Sequence, residues 1–226
     1  MEFLNKYDIY PNDTKLFKAV FVHKSYKVKH NLAYDYERLE FLGDSVLNLL
    51  VSEYLFKKYS KAEEGNLTKL RSNFVCEHAL NYYSEYLGLD KYLKIDEDNL
   101  TDNEIRAANA DIVESFLGAL FLDQGIEKVN EFLSKYIFKF IDDKIIFFND
   151  YKSKVKEYGD ANDSLIEYEL VDESGCQHDK TFIMKIFVDS VEMGIGVGKS
   201  KKEAEQQAAK LAIGKLGIDE NMLLMC

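Results

Sequence analysis

The sequence predicts an all-α domain followed by a small α+β domain with the element order α-β-β-β-α. Two observations carry this reading. Up to residue 147, apolar residues recur at helical spacing and no strand-like alternation interrupts them. Beyond that point, three runs rich in β-branched and aromatic residues stand between two helical segments. The chain therefore divides into residues 1–147 and residues 148–226.

In chain order, Thr14 to Ser25 reads as a short amphipathic helix, and Tyr36 to Tyr59 as a long central helix, apolar on most sides. Leu67 to Leu87 reads as the next helix, with Gly88 placed to stop it. Glu104 to Asp123 is a second strongly apolar helix, followed by Gly125, and Glu127 to about Asp142 completes the first domain. Ile145 to Asp150 is a connector without the Gly, Ser and Pro content of a flexible linker. The second domain begins with a helix from Tyr151 to Tyr158. Strands follow at Ser164 to Asp172, Thr181 to Val188 and Val191 to Val197, then a last helix from Lys201 to Leu216.

Composition excludes several classes. At 226 residues and 46% hydrophobic, the chain can bury a core in each domain. No apolar run is long enough for a membrane span, and the N-terminus lacks the pattern of a secretory signal. Cys76, Cys176 and Cys226 are scattered, as expected of reduced thiols in a cytoplasmic protein. The net charge of −11 argues against a protein that coats nucleic acid through bulk charge, but leaves room for local basic patches beside an acidic centre.

That centre is visible as two acidic constellations. Glu37, Glu40 and Asp44 lie at i, i+3 and i+7 of the central helix, so they share one stripe. Asp111 and Glu114 lie at i and i+3 of the second apolar helix. Any one such acid is ordinarily a solvated face residue. Four of them, Glu40, Asp44, Asp111 and Glu114, sit amid Leu, Phe, Val and Ala, where unpaired carboxylates are costly. Together they suit a hard cation completed by water, Mg²⁺ above all, and hence phosphoryl chemistry. No Gly-x-Ser-x-Gly, Walker loop or His-Glu-x-x-His competes, and His23, His30, His78 and His178 are too dispersed for a zinc site. The acidic run from Asp96 to Glu104 lacks the ligand and glycine an EF-hand needs, and reads as a surface loop.

The run Glu37-Arg38-Leu39-Glu40-Phe41-Leu42-Gly43-Asp44-Ser45 matches without substitution the nine-residue signature of the ribonuclease III family. Val22-His23-Lys24-Ser25-Tyr26, Glu64-Gly65-Asn66-Leu67-Thr68-Lys69-Leu70-Arg71 and the Asp111/Glu114 helix match the family in order around it. The resemblance implies an Mg²⁺-dependent endoribonuclease, with Mn²⁺ able to substitute. It also implies cleavage of double-stranded RNA to 5′ phosphates and short 3′ overhangs by a homodimer. It makes Glu40, Asp44, Asp111 and Glu114 the metal ligands, ties Asp44 and Glu114 most directly to catalysis, and places Glu37 and Glu64 as further acids around the site. Phe41 matches a residue that packs across the family's dimer interface. One departure is Asp35-Tyr36, where bacterial members commonly carry Asn or His and then Asn; it touches the helix entry rather than the ligands.

The second domain resembles a double-stranded-RNA-binding domain. Lys154 to Tyr158 fits its first helix, with Lys156 and Glu157 on the groove-facing side. Gly175 to Phe182 fits its strand loop, with His178 either a groove contact or a turn histidine bonded to local backbone, and Cys176 where the motif has proline. Lys199, Lys201 and Lys202 fit the phosphate-binding start of the last helix. Lysines there oppose the helix dipole, so a phosphate partner explains them better than solvent does. Gly194, Gly196 and Gly198 could suggest a nucleotide loop, but the helix after them belongs to the RNA motif, and no nucleotide cofactor is expected. The alternative is a non-catalytic protein that sequesters duplex RNA, which would predict damaged acids. The biological role implied is RNA processing or, in a virus, suppression of silencing by cutting small interfering RNA in the host cytoplasm.

Overall fold

The computed structural model describes residues 2–147, 151–176 and 180–218, which form two compact units, 2–147 and 151–218. The first unit is helical. Its elements are α1 (Glu2–Asn5), α2 (Thr14–Ala19), α3 (Lys24–Lys29), α4 (Glu37–Lys58), α5 (Glu64–Val75), α6 (Glu77–Leu87), α7 (Asp102–Tyr136) and α8 (Phe138–Asp142). Helices α4 and α7 pack along each other at the centre, burying Leu39, Val46, Leu47, Leu50 and Val51 against Ile112, Val113, Phe116, Leu117 and Leu120. They approach backbone to backbone. A Cβ built on Gly43 would lie 1.7 Å from the Glu114 carbonyl oxygen, and one on Gly118 would lie 2.2 Å from that of Leu39.

Several boundaries differ from the sequence reading, each for a local reason. The predicted Thr14–Ser25 helix is two helices, because residues 20–23 turn aside to meet the segment around Lys94. There His23 N–H donates to the Lys94 carbonyl at 3.0 Å, and Lys94 N–H to that of Phe21 at 2.7 Å. The His23 ring then caps α3 by accepting the Ser25 N–H. The predicted Leu67–Leu87 helix breaks at Cys76, whose backbone is extended at φ −74°, ψ 159°. Gly88 stops α6 in the left-handed conformation, as expected. Helix α7 starts in a capping box between Thr101 and Glu104 and bends at Gly125, whose φ of 83° suits glycine.

The reading of α4 as buried on most sides is corrected. Phe41, Leu49 and Phe56 are 77%, 61% and 69% exposed. Their spacing of eight and seven residues puts them on one face of the helix.

The second unit comprises α9 (Tyr151–Asn162), an antiparallel sheet of β1 (Ile166–Ser174), β2 (Thr181–Val188) and β3 (Val191–Gly198), and α10 (Lys201–Leu216). The strands lie in the order β1-β2-β3. One face of the sheet carries the helices over a core of Val155, Ile186, Ala208, Ala209, Ala212 and Ile213. The three glycines of β3 serve packing against α10. A Cβ on Gly194 or Gly196 would come within 2.4 or 2.0 Å of an α10 carbonyl oxygen, so only glycine lets the helix lie this close.

Candidate active site

The crossing of α4 and α7 brings the acids together. The Glu114 backbone lies against Gly43, and Asp44, one residue on, supplies the largest of the charges acting on the Glu114 carboxyl. Burial first, then the charges of Asp44, Asp111 and Glu40, push the Glu114 carboxyl up to about 8. Burial first, then Asp111 and Glu37, with Lys24 opposing, push that of Glu40 up to about 7. Burial also raises Asp111, against the donation from the Tyr36 hydroxyl to its Oδ2 at 2.9 Å. Asp44 is exposed, and its Oδ1 accepts from Asn48 Nδ2 at 2.7 Å. The four predicted ligands thus feel one another across two helices.

They share a field rather than a finished coordination shell. Among the described residues, no three His, Cys, Asp or Glu side chains stand close enough together to ligate one ion. Like charges gain nothing by closing to ligand distance unless a cation lies among them. The donor set, carboxylates alone, fits a hard divalent ion such as Mg²⁺.

The other predicted acids stand differently. Glu37 is exposed at the rim, 3.5 Å from Lys24 Nζ, and its charge reaches Glu40 and Asp111. Glu64 is not brought to the cluster within one chain, because it opens α5, where its Oε1 accepts from Thr68 Oγ1 at 2.9 Å. It instead lines a cleft of about 410 Å³ with Leu49, Phe56, Leu67 and Arg71. A second cleft, of about 480 Å³, is lined by His78, Tyr82, Arg106 and Asn109 among others. Neither is lined by the four acids. A duplex would lie across a surface, so the chemistry needs no enclosed cavity.

Proton linkage gives a sign. A carboxyl whose folded pKa is raised binds more protons in the folded chain than in the unfolded one. For Glu40 and Glu114, metal-free stability should therefore fall as pH rises from the ordinary carboxylate range through about 8. A divalent ion binds the ionised forms and should reverse this. The expected result in thermal melts is a larger Mg²⁺-induced rise in Tm near pH 8.5 than near pH 6. An equal rise at both would contradict the coupling.

In the second unit, Lys156 and Glu157 lie exposed on α9, and Lys201 and Lys202 lie exposed in the first turn of α10. Ser200 caps that turn by accepting the Glu203 N–H at 3.2 Å, and the N–H of the exposed Lys199 donates to Glu203 Oε2 at 2.7 Å. Lys201 Nζ stands 6.0 Å over the Phe182 ring. His178 lies outside the described residues.

Three functional positions escaped the sequence reading. Gly43 and Gly118 set the crossing, and their signal was a glycine inside each of two strongly apolar helices. Tyr36, noted only as a departure, reaches a predicted ligand and leaves the helix entry intact: α4 begins at Glu37, whose N–H donates to Asp35 Oδ1 at 3.2 Å.

Comparison with known proteins agrees with both units. Residues 13–141 match a family model described as ribonuclease-III-like, and residues 151–216 match the double-stranded RNA binding motif. A Ribonuclease 3 of Anoxybacillus flavithermus is 41% identical over 221 residues, covering 95% of this chain and 93% of that protein. A Ribonuclease 3 of Listeria monocytogenes is 42% identical over 210 residues, 90% of this chain and 92% of that one. Among solved structures, a ribonuclease III nuclease domain from Campylobacter jejuni aligns with a TM-score of 0.55 at 32% identity, covering 61% of this chain and 95% of its own. That structure was described for flexibility in a region involved in dimer formation.

Proposed function

The chain belongs to the ribonuclease III family of double-stranded-RNA-specific endoribonucleases, and from that premise we propose that Glu40, Asp44, Asp111 and Glu114 hold Mg²⁺ for the cut. The observation that carries this reading is the mutual coupling of four half-buried or rim acids across the α4–α7 crossing. A bound ion would activate water and neutralise the leaving 3′ oxygen, leaving a 5′ phosphate, and offset cuts on the two strands would leave short 3′ overhangs. Asp44, already exposed, faces the incoming phosphodiester most directly. Glu114 must give up its proton before it can ligate. The α10 lysines take phosphates across a groove, so duplex shape rather than base sequence selects the substrate.

The experiment is incubation of the protein with duplex RNA, with Mg²⁺ and with EDTA. Cutting only with Mg²⁺ supports the reading; binding without cutting in Mg²⁺ would favour the sequestering alternative. The role we take for the chain is RNA processing, in keeping with its similarity to proteins of bacteria that are named Ribonuclease 3. Were the chain viral, it should cut duplexes of small-interfering-RNA length efficiently, and refusal of these would remove the silencing role.

The working form in this reading is a homodimer. The exposed stripe of Phe41, Leu49 and Phe56 on α4 is too apolar to face water by choice, and it adjoins the cleft lined by Leu67 and Glu64. An isologous contact through this face would use it twice. It also offers Glu64 a site on the partner's side of the interface. Phe41→Asp should convert the dimer to monomer in sedimentation velocity without unfolding it, because the ring is mostly exposed within its own chain. A dimer of unchanged stability would place the interface elsewhere.

A further inference from the structure

We propose that Tyr36 is a positioning residue, whose buried hydroxyl fixes the Asp111 carboxylate in the orientation that meets the metal ion. The proposal rests on the Mg²⁺ reading and deepens it.

Tyr36 immediately precedes α4 and is 2% exposed. Its backbone is pinned from both directions. Its N–H donates to the Val22 carbonyl at 3.0 Å, and its own carbonyl accepts from Leu39 and Glu40 N–H groups at 2.8 and 2.9 Å. Its ring lies against His23, with centroids 5.7 Å apart. His23 is held in turn by Lys94 through its N–H and by Ser25 through its ring. A side chain fixed along its length cannot swing, so the hydroxyl at its tip is a fixed donor. Asp111 Oδ2 accepts from it at 2.9 Å.

Two consequences follow. One carboxylate oxygen of Asp111 is committed, which restrains the rotation of the group and leaves Oδ1 as the oxygen to meet an ion. The α4 entry and the middle of α7 are also tied at a second point, apart from the glycine crossing. A phenol is protonated near neutral pH by its own chemistry, so the donor persists. Donors placed behind metal ligands typically influence metal affinity or activity by about 10–100-fold, more than a neutral hydrogen bond contributes to folding. The bland reading is that Asp111 merely satisfies a buried phenol, which predicts a stability effect and nothing more.

Tyr36→Phe separates the two, because it keeps the ring in its pocket and removes only the donor. Mn²⁺ binding to the RNA-free protein, measured by calorimetry, should weaken by about tenfold or more. The Mg²⁺ concentration for half-maximal cleavage should rise in step, with KM for duplex RNA unchanged. Unaltered Mn²⁺ affinity in a folded Tyr36→Phe protein, with or without a lower Tm, would overturn the proposal. If the variant unfolds under these conditions, the Mn²⁺ titration is repeated in the cold with a stabilising osmolyte, and wild-type affinity there would overturn the proposal. If the wild-type protein binds neither ion, it is the metal reading itself that falls.

Discussion

Asp44→Ala should reduce cleavage of duplex RNA by about 10³-fold or more, the scale on which removal of one member of a catalytic group acts. Duplex binding in EDTA should be unchanged, since the lysines of α10 belong to the other unit. Asp44 is exposed and makes its hydrogen bonds within α4, so the variant should fold as the wild type does. Glu114→Gln is the informative companion. It should lose cleavage to a similar degree but gain thermal stability in the metal-free protein at alkaline pH. The fold disfavours the ionised form of Glu114, holding its carboxyl up to about 8, and the amide removes that charge. An acid whose loss stabilises the chain while abolishing activity is retained for function. Near-wild-type cleavage by Asp44→Ala in Mg²⁺ would remove the assigned chemistry.

Gly43→Ala should be the most destabilising single methyl that can be added to the nuclease unit. The new Cβ would meet the Glu114 carbonyl oxygen at 1.7 Å, and that obstacle is backbone, with no rotamer to move. Helices α4 and α7 must part, at a cost of about 3 kcal/mol or more in denaturant unfolding. Since those helices carry all four acids, cleavage should fall beyond what the unfolded fraction explains. Gly65→Ala is the control. It also lies inside a helix of the signature region, yet its Cβ would meet nothing within 4 Å. Better helix propensity should make it neutral or stabilising by up to about 1 kcal/mol. Equal effects at the two glycines would mean that the crossing is not what Gly43 serves.

The contrast between these glycines shows where the sequence was legible. The four acids could be read because carboxylates at helical spacing amid Leu, Phe and Val have few physical explanations. The α-β-β-β-α order could be read because its strands alternate with clear breaks, and the ends of β2 and α10 fall where expected. Breaks made by tertiary contact were not legible. Neither Cys76 nor Val20 to His23 contains the glycine or proline that announces a turn. By residue type alone Phe41 could not be told from core, because an apolar side chain reads alike whether its cover comes from its own chain or from another; only the resemblance set it apart. Tyr36 was invisible as a partner of Asp111, since 75 residues separate them and only the fold supplies the hydroxyl. Glu64 shows the limit of resemblance: a matched residue need not reach the cluster within its own chain.

In the proposed mechanism α4 and α7 together build one divalent-metal site. Anomalous diffraction from crystals of the protein soaked in Mn²⁺ tests it most directly. A Mn²⁺ peak should appear between the carboxylates of Glu40, Asp44, Asp111 and Glu114 and be lost in Glu114→Gln crystals. A peak elsewhere, or none at this crossing in crystals that cut RNA once dissolved in Mg²⁺, would contradict it.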